Sequence, residues 1–99
     1  MKLNWSKESL ERLLEIEEFI AIDNVEKAEE FINFLITESL LIEKNPEIGR
    51  IVPEFSDSSI RELILKGYRL VYRITDDRID ILTVFEGHRL IRKSEIYNV

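Results

Sequence analysis

Cysteine is absent from the 99 residues, and the chain has one histidine, two prolines and three glycines. Without cysteine there is no disulfide framework and no cysteine-ligated zinc site, and the composition suits a reducing compartment. No run approaches the roughly 20 apolar residues a transmembrane helix requires. The opening MKLNWSKESL lacks the apolar stretch of a signal peptide. Internal repeats and low-complexity segments are also missing. These absences predict a soluble, cytoplasmic protein with no membrane partner.

What is present predicts one domain over residues 1–99, with enough apolar residues (44%) for one core. The charged fraction is 34%, but it comes with regular apolar periodicity, which argues against disorder. The net charge of −6 is unevenly spread. Residues 1–57 carry 6 Lys+Arg against 14 Asp+Glu, giving −8, and residues 58–99 carry 8 against 6, giving +2. A more basic C-terminal part hints at a partner-facing side, although so small an excess is weak for phosphate binding.

The expected architecture is α+β. Residues 1–5 read as a short strand with Leu3 and Trp5 on one face. Ser6 is a suitable helix N-cap, because its hydroxyl can accept from an orphan N–H. Leu10, Leu13, Leu14, Phe19 and Ile20 then keep helical spacing to about Ile22. Asp23 and Glu26 make a capping-box-like pair for a second helix reaching about Lys44. Its apolar side is Val25, Ala28, Phe31, Ile32, Leu35, Leu40 and Ile42, and Pro46 and Gly49 end it. So short a connection predicts an antiparallel helix hairpin over 6–45. Residues 46–59, rich in proline and serine, read as a loop. The period then changes from 3.6 to 2, and three strands form an antiparallel β-meander over 60–87. Residues 88–99 are a polar, basic tail.

Two-residue turns at Lys66-Gly67 and Asp76-Asp77 set an expected register. Arg61 faces Tyr72, Leu63 faces Leu70, Arg73 faces Asp80, Arg69 faces Val84 and Tyr68 faces Phe85. One face carries Leu63, Leu65, Tyr68, Leu70, Tyr72, Ile74, Ile79, Ile81 and Phe85. Burial of these side chains against the helices is worth roughly 1.5–3 kcal/mol each. The other face carries Ile60, Glu62, Ile64, Arg69, Val71, Arg73, Asp80, Leu82 and Val84. Arg73 is expected to pair with Asp80. Arg69 has no charged residue directly across, and Glu62 is its diagonal neighbour. A sheet face that is part apolar and part cationic is either covered or recognises something.

The segments GYRLVY (67–72) and EGHR (86–89), in this order after a helix hairpin, resemble the RelE/ParE superfamily of toxins from toxin–antitoxin pairs. The resemblance spans essentially the whole chain. NPEIGRIVPEF followed by IREL is similar to the ParE side, where a P-x-x-G-R-x-V-P loop precedes an R-E-L strand.

On the ParE side, the resemblance implies a protein that poisons DNA gyrase by binding, without catalysis. Arg89, Arg92 and Lys93 in the basic tail are then the expected target contacts. On the RelE side it implies a ribosome-dependent mRNA endonuclease whose site lies on the sheet face away from the helices. Arg69 and Arg89 match its arginines by position, Tyr97 its C-terminal tyrosine, and His88 is a possible acid or base. The RelE lysines have no counterpart, since Glu62 stands where one is expected. Arginine cannot readily serve as the base, because its pKa stays above about 12. Either side implies a cognate antitoxin, expected to cover Ile64, Val71, Leu82 and Val84 or the exposed side of the helix hairpin. Neither implies a cofactor or metal.

Overall fold

The helical half of the chain starts at a serine. In the computed structural model, which describes residues 1–88 and Ile96, strand β1 (Lys2–Trp5) leads into helix α1 (Lys7–Ala21). Ser6 caps α1 by accepting the Ser9 N–H at 3.0 Å. Its hydroxyl also donates to the Leu82 carbonyl at 3.0 Å, which ties the helix start to the sheet. Ser9, Leu13 and Ile16 form the buried stripe of α1. Leu10, Leu14 and Phe19, expected on that side, are 49%, 57% and 71% exposed. At about 100° per residue they fall on either flank of the stripe, and a helix lying on a sheet covers only part of its circumference.

Helix α2 (Val25–Lys44) is capped by Asn24, whose side chain accepts the Lys27 N–H at 3.0 Å. The cap is thus one residue later than the expected Asp23, and the N–H groups of Asp23 and Asn24 both bond back to the Ile20 carbonyl and close α1. Ala28, Leu35, Ser39 and Ile42 are the buried positions of α2, while Val25 and Leu40 are exposed. The loop expected over 46–59 contains a 3-10 turn (Pro46–Ile48) and a two-residue strand, β2 (Arg50–Ile51).

Strands β3 (Ile60–Leu65), β4 (Tyr68–Ile74) and β5 (Arg78–Glu86) form the antiparallel meander. The full sheet has five strands in the order β1-β5-β4-β3-β2, and β1 runs parallel to β5. The result is two helices on one face of a mixed sheet. Lys66 (φ 51°) and Gly67 (φ 85°) are both left-handed, as a type I′ turn requires. A Cβ added to Gly67 meets no atom within 4 Å, so its substitution tests backbone strain alone. Gly67→Ala should lower stability by about 1–2 kcal/mol with no change in core packing, as measured by urea denaturation.

The register expected from the turns holds on the β3–β4 side, with Leu63 opposite Leu70 and Arg61 opposite Tyr72. On the β5 side it breaks between Val71 and Tyr72: Tyr72 pairs with Ile81 but Val71 pairs with Thr83, leaving Leu82 as an inserted residue. One inserted residue exchanges the faces of everything beyond it. Val84 therefore joins the helix-side core, and Phe85 turns to the outer face, opposite Arg69. This corrects the expected pairings of Arg69 with Val84 and of Tyr68 with Phe85. Tyr68 faces Glu86 instead.

The helix-side core contains Leu13, Ile16, Leu35, Ile42, Leu65, Leu70, Tyr72, Ile79, Ile81 and Val84. A second, smaller core covers the outer face: Val52, Ile60, Val71, Phe85 and Ile96, with Phe55 and Leu82 packed against it.

At the parallel edge, Asp80 accepts from Arg78 Nε at 2.8 Å and Asn4 Nδ2 at 3.1 Å. The hydrogen bond from Arg78, reinforced by that from Asn4, holds the Asp80 carboxyl below its ordinary pKa despite partial burial. A carboxylate with a depressed folded pKa stabilises the fold above its unfolded value, near 4, and loses that contribution as pH falls through the folded value. Wild type should thus lose stability more steeply below about pH 4 than Asp80→Asn does, measured as unfolding free energy against pH.

Candidate functional site

Of the residues proposed for a site, Arg69 is the most informative, and it is almost fully enclosed. It projects from β4 onto the outer face with its side chain 8% exposed. Its Nε donates to Glu62 Oε1 at 2.6 Å. Its Nη1 and Nη2 each donate to Glu54 at 2.8 Å, a bidentate pair. The second Glu62 oxygen accepts from Arg50 Nε at 2.7 Å. The Phe85 ring lies 5.3 Å from the Arg69 guanidinium carbon. Two arginines and two glutamates thus form a chain of alternating charge, with Glu62 fully buried inside it. The hydrogen bonds to Glu54 and then to Glu62 raise the Arg69 pKa above its ordinary value, against the opposing effect of burial.

The local sequence explains the arrangement. Arg69 and Glu62 lie on the same face of adjacent strands, with Glu62 opposite Val71, one step along from the Arg69 pairing. Arg50 reaches Glu62 because β2 pairs Arg50 directly with it. Glu54 follows Val52, which packs into the outer core and brings the 50–59 segment down over the sheet. Sequence patterning marked Glu62 as the diagonal neighbour of Arg69 but missed Arg50 and Glu54. The available signal was an arginine on a half-apolar face with no direct cross-strand partner, preceded by a loop carrying both an arginine and a glutamate.

The 46–49 turn is fixed from below by Tyr72. Its hydroxyl donates to the Pro46 carbonyl at 2.6 Å and accepts the Gly49 N–H at 2.9 Å. Burial is the largest cause of the raised Tyr72 pKa, which keeps the phenol protonated and donating. Arg61 extends the same clamp by donating to the Gly49 carbonyl at 3.0 Å and to the Ser58 carbonyl at 3.2 Å.

The remaining expected residues are dispersed. Arg73 faces Asp80 across the strands, and its Nη2 also donates to the Ile96 carbonyl at 3.1 Å. The carboxylate of Asp80 takes its close hydrogen bonds from Arg78 and Asn4. The His88 side chain is 95% exposed, 3.5 Å from Glu86 Oε1. Arg89, Arg92, Lys93 and Tyr97 lie outside the described residues. Of the four apolar residues expected on an open face, Ile64 is half exposed and Leu82 half-buried, while Val71 and Val84 are fully buried. Val84 is on the opposite face because of the Leu82 insertion, and Val71 is covered by the chain's own outer core.

A concavity of about 390 Å³ remains on the outer face, lined by Arg50, Ile64, Gly67, Arg69, Gly87 and His88. Both of its arginines are already engaged by Glu62, so it presents little net positive charge. Among the described residues no three His, Asp or Glu side chains are grouped so as to hold a metal ion. None of the described helices is long and apolar enough to cross a membrane.

Comparisons with known proteins agree with this architecture. No curated protein matches the chain in sequence. A solved structure described as "Chromosomal ParDE TA system from P. aeruginosa" superposes with a TM-score of 0.74. It covers 87% of this chain and 95% of the matched chain at 19% identity, a likeness of fold. The family model for the ParE toxin of the type II toxin–antitoxin system, parDE, matches residues 3–91. With most of its length matched, the chain belongs to the ParE toxin family of type II toxin–antitoxin systems.

Proposed function

We propose that the protein inhibits DNA gyrase by binding it and is neutralised by a cognate antitoxin. The observation that carries this reading is the enclosure of Arg69 by Glu62 and Glu54. Cleavage of RNA by its own 2′-hydroxyl needs a proton acceptor, a donor to the leaving oxygen and positive charge free to meet the phosphate. Arg69 has its charge met by carboxylates on two sides. Glu62, where a RelE-type lysine is expected, is a buried anion that repels phosphate. The outer face is largely filled by Val52, Phe55, Val71 and Phe85. A net charge of −6 also suits a protein target better than ribosomal RNA.

Target contact is assigned to the basic tail, with Arg89, Arg92 and Lys93 as its cations. Of the four apolar residues expected to meet the antitoxin on the outer face, Ile64 and part of Leu82 remain accessible. Leu10, Leu14, Ile36 and Leu40 are 39–57% exposed on the helices, a larger apolar surface. Antitoxin docking on the helix hairpin therefore fits the exposure better than docking on the sheet.

Pulse labelling after induction without antitoxin tests the target. DNA synthesis should stop before protein synthesis. Protein synthesis stopping first would point to a RelE-like mRNA endonuclease and overturn this assignment.

A further inference from the structure

The flank of α1 away from Leu10 and Leu14 carries a separate feature. A groove of about 590 Å³ runs between α1 and the end of the β4–β5 ladder, lined by Arg12, Glu15, Ile16, Phe19, Tyr68, Val84, Phe85 and Glu86. Its floor is the helix-side core: Ile16 is 8% exposed and Val84 0%. Its wall is Phe19, 71% exposed, an aromatic ring left in water beside a concave apolar surface. The apolar surface continues onto the hairpin tip, where Ile22 is 81% and Val25 63% exposed. Leu14 and Phe19 lie about 140° apart around the helix, so this groove is distinct from the Leu10–Leu14 surface.

The surroundings are acidic. The cation at the groove, Arg12, is paired with Glu15, and Glu86 adds a second carboxylate to the lining, beside the exposed His88. Helix α1 holds five glutamates against Lys7 and Arg12. Of these, Glu11, Glu15 and Glu18 are exposed. An apolar slot with an anionic border selects a partner by shape and by sign of charge.

We propose that this groove is a docking site for a cationic amphipathic segment of a partner protein. The segment inserts an apolar side chain between Phe19 and the Tyr68–Val84 floor and places lysines or arginines toward Glu86 and the outer glutamates of α1. The docking follows from the groove itself and holds whether or not gyrase is the target.

A labelled synthetic amphipathic peptide of leucine and lysine is the probe, with its leucine–glutamate counterpart as control, read by fluorescence anisotropy against the full chain. The lysine peptide should bind and weaken as salt rises. Phe19→Ser and Glu86→Lys should each weaken it about tenfold, whereas Ile48→Ser, exposed in the Pro46–Ile48 turn and outside the groove lining, should leave it unchanged. Phe19 is largely exposed, so Phe19→Ser should melt with the wild type, which separates lost docking from lost folding. Equal binding of the glutamate peptide, or indifference to Phe19→Ser, overturns the proposal. So does Phe19-dependent self-association that excludes the peptide, because the occupant would then be a second copy of this chain.

Discussion

Arg69→Ala should destabilise the protein by about 3–5 kcal/mol, the range for leaving a buried charge without its partner. The substitution removes the Nε bond to the fully buried Glu62 and both bonds to Glu54. Glu62 keeps only Arg50, whose side chain is 58% exposed. Arg50→Ala should therefore cost less than Arg69→Ala, because solvent can replace much of what an exposed guanidinium supplies. The double variant Arg69→Met, Glu62→Leu should recover most of the loss, since apolar residues of similar volume often replace a buried pair at little cost. Glu54 can then turn to water from its partly exposed position. Urea denaturation of these variants measures each step. The direction of the effect is itself diagnostic. Residues kept for chemistry are commonly neutral or costly for stability, so an Arg69→Ala protein as stable as wild type would contradict the structural role assigned here.

Gly49→Ala is the second large effect expected. A Cβ at position 49 would lie 2.7 Å from the Glu62 carbonyl oxygen, 2.7 Å from the Tyr72 hydroxyl and 2.9 Å from the Tyr72 ring. Backbone of a central sheet position cannot move aside, and the ring is held by its hydrogen bonds to Pro46 and Gly49. The 46–49 turn must therefore lift from the sheet, breaking the Tyr72 bonds and pulling β2 off β3. Overpacking costs about 1–3 kcal/mol, and a lost buried hydrogen-bond partner adds about 1–3 kcal/mol. The glycine at this position is thus required by close approach, whereas Gly67 is required by its left-handed backbone. Gly49→Ala should also loosen the 50–59 segment, detectable as faster hydrogen exchange at Val52 and Ser56, whose N–H groups bond to the carbonyls of Ile60 and Val52. Unchanged exchange there would mean that the turn accommodates a methyl group.

Much of this fold is legible in sequence because local rules act on it strongly. The two turns are marked by Lys66-Gly67 and Asp76-Asp77, and the β3–β4 register follows from the first by counting. Ser6 caps as its chemistry predicts. What stayed hidden depended on tertiary context. The Leu82 insertion carries no glycine or proline to announce it, and it exchanges the faces of Val84 and Phe85. The parallel pairing of β1 with β5 joins residues more than 70 positions apart, as Leu3 with Ile79, which periodicity cannot show. The outer face looked open because Val52, Phe55 and Ile96 lie in segments with no regular period. That also concealed the site. Arg69 was identifiable as a residue without an obvious partner, but Glu54 reaches it only through a loop that folds over the sheet.

A ParE-family chain that acts by binding gyrase, as proposed, needs Arg69 for its fold and not for catalysis. The most direct measurement is a DNA gyrase supercoiling assay with and without the purified protein. Loss of supercoiling or accumulation of gyrase-cleaved DNA is the predicted result. Undisturbed gyrase, from a preparation that still halts growth when produced in cells, would contradict it.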